Sequence, residues 1–303
     1  MTTFADLKSQ VLQQIQGYAK NQNQIAWLAS GMNASDTTFT VDTSSVGNMS
    51  RGLVEIDEEL ILVHTYNKTN GLVTVAAGTN GRGRAGTTPA SHSVNAILTI
   101  APDFPAIRIE EAINKTITSV YPDLFVMKEF EFPKLAAKYE YEMPADSEDV
   151  IRVTVDTIGP SKVWFPSQSW RYNPQASTGT NGVATGKSLQ IFDMIVPGRT
   201  IRAMYSKSPS QLVNDSDDYT AVSGLPDRTS DVIMFGACAR LLMALEPARL
   251  QQKSIESTER AALVPTSAAS NAAQMYWNLY NARLNEERDR QLLLFPSFQT
   301  FNS

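Results

Sequence analysis

His64 and His92 are the only imidazole bases in this chain of 303 residues. A hydrolase triad needs a nucleophile beside such a base and an acid to orient it, and neither histidine lies near a G-x-S-x-G turn or a cysteine. Their spacing also fits no two-histidine metal pattern, so both are read as surface or hydrogen-bonded residues. Gly182-Val-Ala-Thr-Gly186-Lys187-Ser188 has the outline of a phosphate loop, but three residues separate its glycines where four are needed. A strand pattern follows it, in place of the helix whose first amides would hold phosphate. Asp215-Ser-Asp217-Asp218 opens like a calcium loop, yet Tyr219 takes the third ligand position and no glutamate closes the loop, so it reads as a turn. Glu129 with Glu131, and Glu140 with Glu142, could serve glycoside hydrolysis if they faced each other across a cleft. They alternate with apolar residues, as do Glu55, Asp57, Glu58 and Glu59, which marks the outer faces of strands. Gly78-Thr-Asn-Gly-Arg82-Gly-Arg84-Ala-Gly-Thr-Thr-Pro-Ala-Ser-His92 is rich in glycine and arginine, but it leads to another strand and is read as a structural loop. No catalytic residue, cofactor or metal is expected, and the chain is not read as an enzyme.

The elements that carry these residues form a mixed pattern. Residues 225–250 make a helix, with Val232, Phe235, Ala239, Leu242 and Leu245 at steps of three or four, and with Pro247 expected to bend or break its end. Phe4, Leu7, Val11 and Ile15 mark another helix, Ile109, Ile113 and Ile117 a third, and 267–294 a fourth. Between them lie two blocks of β-branched runs separated by turn residues, among them a hairpin turn at Asn70-Gly71. The fold class expected is α+β, a helical bundle core carrying two β-rich insertions, each a small barrel or sandwich. The divisions expected are 1–21 (first core helix), 22–104 (first β-rich domain), 105–126 (core helix), 127–224 (second β-rich domain), 225–290 (core helices) and 291–303 (an apolar tail).

Composition bounds the partners. With 26 basic and 31 acidic side chains the formal charge is −5, which argues against broad coating of nucleic acid. The single Cys238 falls in an apolar helix and is read as a buried thiol in a reducing compartment. No leader pattern and no membrane span is legible, so a soluble chain made in the cytoplasm is expected. The mixed-charge run Arg283, Glu286, Glu287, Arg288, Asp289 and Arg290 reads as a solvated face. Leu292, Leu293, Leu294, Phe295, Phe298 and Phe301 are apolar and require a docking site.

The run Val196-Pro-Gly-Arg-Thr-Ile-Arg-Ala-Met-Tyr205, with Pro209-Ser-Gln-Leu212, Asp217-Asp218, Gly224-Leu-Pro226, Asp231-Val-Ile-Met-Phe-Gly-Ala237 and Arg240-Leu-Leu242, resembles neck proteins of tailed bacteriophages, the head-to-tail adaptor class. Gly81-Arg-Gly-Arg-Ala-Gly-Thr-Thr-Pro-Ala-Ser-His92 is similar to a loop of β-modules in phage structural proteins. The resemblance implies a dodecameric homo-oligomeric ring in the virion neck. That ring would sit beneath the portal protein, contact a downstream neck or tail protein, and extend the channel for genomic DNA. It implies a structural role without membrane contact, with Leu292 to Phe301 as the portal-docking tail and residues 290–303 disordered until a partner is present. Arg82 and Arg84 are candidates for an inter-subunit or DNA contact. The alternative is a minor tail or baseplate protein that touches host glycan through exposed Trp164, Trp170 and Tyr172.

Overall fold

The computed structural model describes residues 2–16, 24–47, 49–76, 78–157, 163–179, 182–253 and 268–295. Among them, thirteen strands form three antiparallel sheets and five α-helices accompany them. This overturns the expected helical bundle core: two extended hydrophobic clusters are built from sheet residues. A helical period shows that one stripe of a helix is buried but not what it is buried against, so four amphipathic helices did not imply a bundle. The chain divides into two compact units, Ala5–Lys115 with Ile233–Leu279, and Met1–Phe4 with Thr116–Val232 and Tyr280–Ser303.

In the first of these, β1 (Gln24–Trp27), β2 (Thr38–Thr40), β3 (Gly52–Ile56), β4 (Glu59–Asn67), β5 (Leu72–Val75) and β6 (Ile97–Ile100) form one sheet in the order β1-β6-β3-β4-β5-β2. Its two edges meet: Leu28 bridges Val41, the Ala29 amide donates to the Thr40 carbonyl, and the Asp42 amide donates to the Trp27 carbonyl. The sheet is therefore a closed barrel, which removes exposed edges. Inward residues of alternating strands, including Ala26, Val54, Ile56, Ile61, Val73 and Leu98, fill it. Gly71 ends the β4–β5 turn at φ 69°, and a Cβ there would lie 2.2 Å from the Val41 carbonyl oxygen. Helix α1 (Phe4–Ile15) buries Leu7, Val11 and Ile15, and α2 (Ala106–Ser119) starts where the Ala106 amide donates to Glu55 at 2.7 Å.

In the other unit, β7 (Val126–Pro133), β9 (Asp149–Asp156), β10 (Trp164–Pro166) and β13 (Thr200–Lys207) make a sheet in the order β10-β9-β13-β7. Strands β8 (Glu140–Glu142), β11 (Trp170–Asn173) and β12 (Ser188–Ile191) make a second one in the order β11-β12-β8. Side chains of both, such as Phe132, Val153 and Ile201 from one and Tyr141, Leu189 and Ile191 from the other, share one cluster. Two sheets packed over a common apolar layer are a sandwich. Helix α3 (Tyr219–Ser223) is capped by the Asp218 carboxylate and ends at Gly224 with φ 79°. Helix α4 (Ser230–Lys253) continues through Pro247, where the sequence suggested a bend or break, and α5 spans Ala268–Leu294.

Candidate functional site

Arg82 lies at the centre of the first cluster that the sequence drew attention to. Its side chain is out of solvent, and every guanidinium N–H has an acceptor. The Nε donates to Glu59 Oε1 at 2.7 Å, Nη2 to Glu59 Oε2 at 2.8 Å and to the Ala90 carbonyl at 2.7 Å. The Nη1 donates to the carbonyls of Asn33 and Asp36. Glu59 in turn accepts from the amides of Gly83 and Ala90 and stands 2.9 Å from His92 Nε2, while His92 Nδ1 stands 3.0 Å from Asp57. Burial alone would raise the Glu59 carboxyl, but the Arg82 guanidinium first, then the Ala90 amide, His92 and the Gly83 amide, hold it down at about 2. One carboxylate thus ties down the whole glycine-rich loop. Glu59 is buried at 2% exposure, a correction to its reading as an outer strand face; Arg84, two residues beyond Arg82, is exposed. Nothing local in the sequence marks Glu59, because its partners lie 23 to 33 residues away.

The other motifs resolve into structural roles. In the Gly182–Ser188 loop, the amides of Ala184 and Thr185 do form an anion-binding nest, and the Glu142 carboxylate occupies it at 2.9 and 2.8 Å. Those two amides lower the Glu142 carboxyl from its ordinary value. Asp217 accepts from the amides of Val213 and Asn214 and closes a turn. Glu129 and Glu131 lie on β7 and pair with Arg202, which stacks on Trp164 at 3.9 Å, whereas Glu140 and Glu142 lie on β8 of the other sheet. Phe130, Phe132 and Tyr141, which alternate with these glutamates, face the shared core, so the two carboxylate pairs lie on the outer faces of the two sheets and not across a cleft from each other. Trp170 and Tyr172 pack against the sandwich core and do not join Trp164 in an exposed aromatic face. His64 is exposed on β4. Cys238 is buried, and burial pushes its thiol up to about 12.

The apolar tail begins as helix. Leu292, Leu293 and Leu294 form the last turn of α5 and are 49%, 84% and 61% exposed. Phe298 and Phe301 lie outside the described residues. Leu294 and Phe295 border a groove of about 240 Å³, walled by Leu124 to Met127, Gly224 to Pro226, Thr229 and, from α5, Glu287 and Gln291. Gln291 fixes the end of α5 there by donating to the Phe125 carbonyl and accepting from the Phe125 amide. Glu287 is 1% exposed and receives Arg228 and Arg290, each at 2.7 Å, while Arg283 pairs with Asp231 at 2.7 Å and with Glu286. The charged run on α5, read as a solvated face, is thus in part an ion network around a buried carboxylate.

This arrangement offers a locked loop and an exposed apolar helix end beside a groove. Residues 90–295 match the SU10 adaptor protein family. The chain belongs to that family. This makes it a phage structural adaptor and a component of the virion. Strands β1 to β5 of the adaptor precede the matched residues, whereas the whole sandwich and the α5 groove fall inside them. No curated protein matches the adaptor chain. Among its described residues, no helix is long and apolar enough to cross a membrane.

Proposed function

We propose that the adaptor assembles as a homo-oligomeric ring, of twelve copies in the reading taken from its resemblance, between the portal protein and a downstream neck or tail protein. In this role it lengthens the channel through which genomic DNA passes. The observation that carries the docking half of this reading is the end of α5. Three consecutive leucines stand in solvent on a helix whose base is clamped by Gln291 and by the Glu287 network. Clustered exposed apolar residues mark an interaction site, and a rigid helix presents them at low entropic cost. The mechanism is geometric: weak contacts repeated around a closed ring add up to a stable collar. Neither Arg82, whose donors are all used by Glu59 and by the carbonyls of Asn33, Asp36 and Ala90, nor any carboxylate pair is needed for it.

The test is the mass of the portal ring before and after addition of the adaptor, by native mass spectrometry. Stoichiometric addition that is lost on deleting residues 292–303 supports the reading. Portal rings that stay at their own mass with the full-length chain refute it.

A further inference from the structure

The sandwich ends in two loops that lie side by side. The β7–β8 connection is joined to the β12–β13 connection at both ends, by Ile191 N donating to the Tyr139 carbonyl at 2.8 Å, and by Gly198 N and Lys134 N donating to the carbonyls of Lys134 and Arg199. Along the second loop, side chains alternate. Asp193 turns inward, where it accepts from Ser167 Oγ at 2.6 Å and from the Gln168 amide, and Ile195 packs on the core. Phe192, Met194 and Val196 turn outward and are 55%, 105% and 53% exposed. Leu135 and Tyr139 on the neighbouring loop are exposed as well. The fixed charges of this tip, beside the engaged Asp193, are the half-buried Lys138 and Arg199, and Lys134, which is buried and donates from its ammonium to the Lys138 carbonyl at 2.6 Å. The tip is apolar and basic on a chain whose formal charge is −5.

The barrel carries a face of the opposite kind. Trp27 on β1 stands opposite Ile97 on β6, and Ile25 opposite Thr99, with all three large side chains at least 39% exposed. Glu55, which stands opposite Thr99 on the other side, is the only charged residue in β1, β6 and β3. Beside Trp27 a shallow hollow of about 450 Å³ is bordered by Asp42, whose carboxyl is held below its ordinary value by the Ser44 amide and hydroxyl. This face is apolar and acidic.

We propose that the basic sandwich tip of one copy docks on the acidic barrel face of a second copy of this chain. The two surfaces match in sign and in apolar character. They are different patches, so the contact is heterologous, and repeated head-to-tail it generates a ring or an open helix. The inference rests on the ring reading above and names the surfaces that would build it.

Two variants test it, Met194→Glu at the tip and Ile97→Glu on the barrel, both at exposed positions where thermal midpoints should match wild type. The milder Met194→Ser and Ile97→Thr serve if either glutamate variant unfolds. At about 1 mM protein, where contacts of millimolar dissociation constant are substantially occupied, light scattering should show the wild-type average mass raised about twofold or more over the dilute chain. Each variant alone should stay monomeric. An equal mixture of the two should form dimers and nothing larger, because each variant retains one intact patch. A wild-type chain that remains monomeric, a single variant that associates like wild type, or a mixture that stays monomeric or grows past the dimer overturns the proposal. So does loss of binding to anionic lipid vesicles in Met194→Glu with self-association unchanged, which would assign the tip to a membrane. Portal rings that still gain wild-type adaptor in that event leave the adaptor reading standing and remove only this interface.

Discussion

Arg82 and Glu59, 23 residues apart, form a two-point guanidinium–carboxylate pair at 2.7 and 2.8 Å with both side chains withdrawn from solvent. Breaking a buried pair by removing one partner leaves an uncompensated charge or an unpaired donor set, at a cost of about 3–5 kcal/mol. Arg82→Ala and Glu59→Gln should each lower stability to urea by that order. Arg82→Lys should recover little, because an ammonium cannot match the fork. A loss below about 1 kcal/mol in Arg82→Ala, the range of an exposed pair, would mean the pair does not hold the loop.

The same carboxylate sets a pH dependence. The Glu59 carboxyl lies at about 2 in the folded chain against an ordinary value of 4.5. The unfolded chain therefore binds the extra proton between these values, and the stabilisation is complete above about pH 4.5 and is lost as pH falls toward 2. At roughly 1.4 kcal/mol for each tenfold change in proton affinity, the contribution is on the order of 3 kcal/mol. The stability gap between wild type and Glu59→Gln, measured by urea titration at successive pH values, should narrow on acidification. A gap that is constant from neutral pH to pH 2 would contradict it.

Gly224 closes α3 at φ 79°, and a Cβ at this position would lie 2.7 Å from Val126 Cγ1 on β7. Gly224→Ala meets both left-handed backbone strain and a branched neighbour with little freedom, so a loss of about 1–3 kcal/mol is expected. Unchanged thermal unfolding in this variant would show that the contact relaxes at no cost.

Leu293 is 84% exposed at the end of α5. Leu293→Asp should therefore leave stability within about 0.5 kcal/mol, yet sharply reduce addition to portal rings. Equal portal occupancy for wild type and Leu293→Asp would place the docking contact elsewhere.

Gln291 supplies both partners of the Phe125 backbone, donating to its carbonyl and accepting from its amide at 3.2 Å. Gln291→Ala should cost about 1–3 kcal/mol for the unpaired groups, and exchange of the Phe125 amide should accelerate. Unaltered exchange at this amide would show that water replaces the side chain without penalty.

Local pattern alone determined much of the inventory. The β-branched and apolar runs in Glu59–Asn67 and Leu72–Val75, with Asn70-Gly71 between them, specify a hairpin, and Gly71 takes the positive φ of its turn. The helix at Ala268–Leu294 follows in the same way from a period that is set within one element. The missing helix after Gly182–Ser188 argued against phosphate binding, since the strand signal is also local. Only the tertiary structure decided what each buried face meets. It closed six strands into a barrel, built the extended cores from sheets where a helical bundle core was expected, and buried Glu59 and Glu287, which share their sequence pattern with solvated carboxylates. The physical reason is range. Propensity and periodicity act over a few residues, whereas the burial of a charge depends on partners such as Arg82 for Glu59 or Arg228 for Glu287, which only the folded chain brings within 2.7 Å.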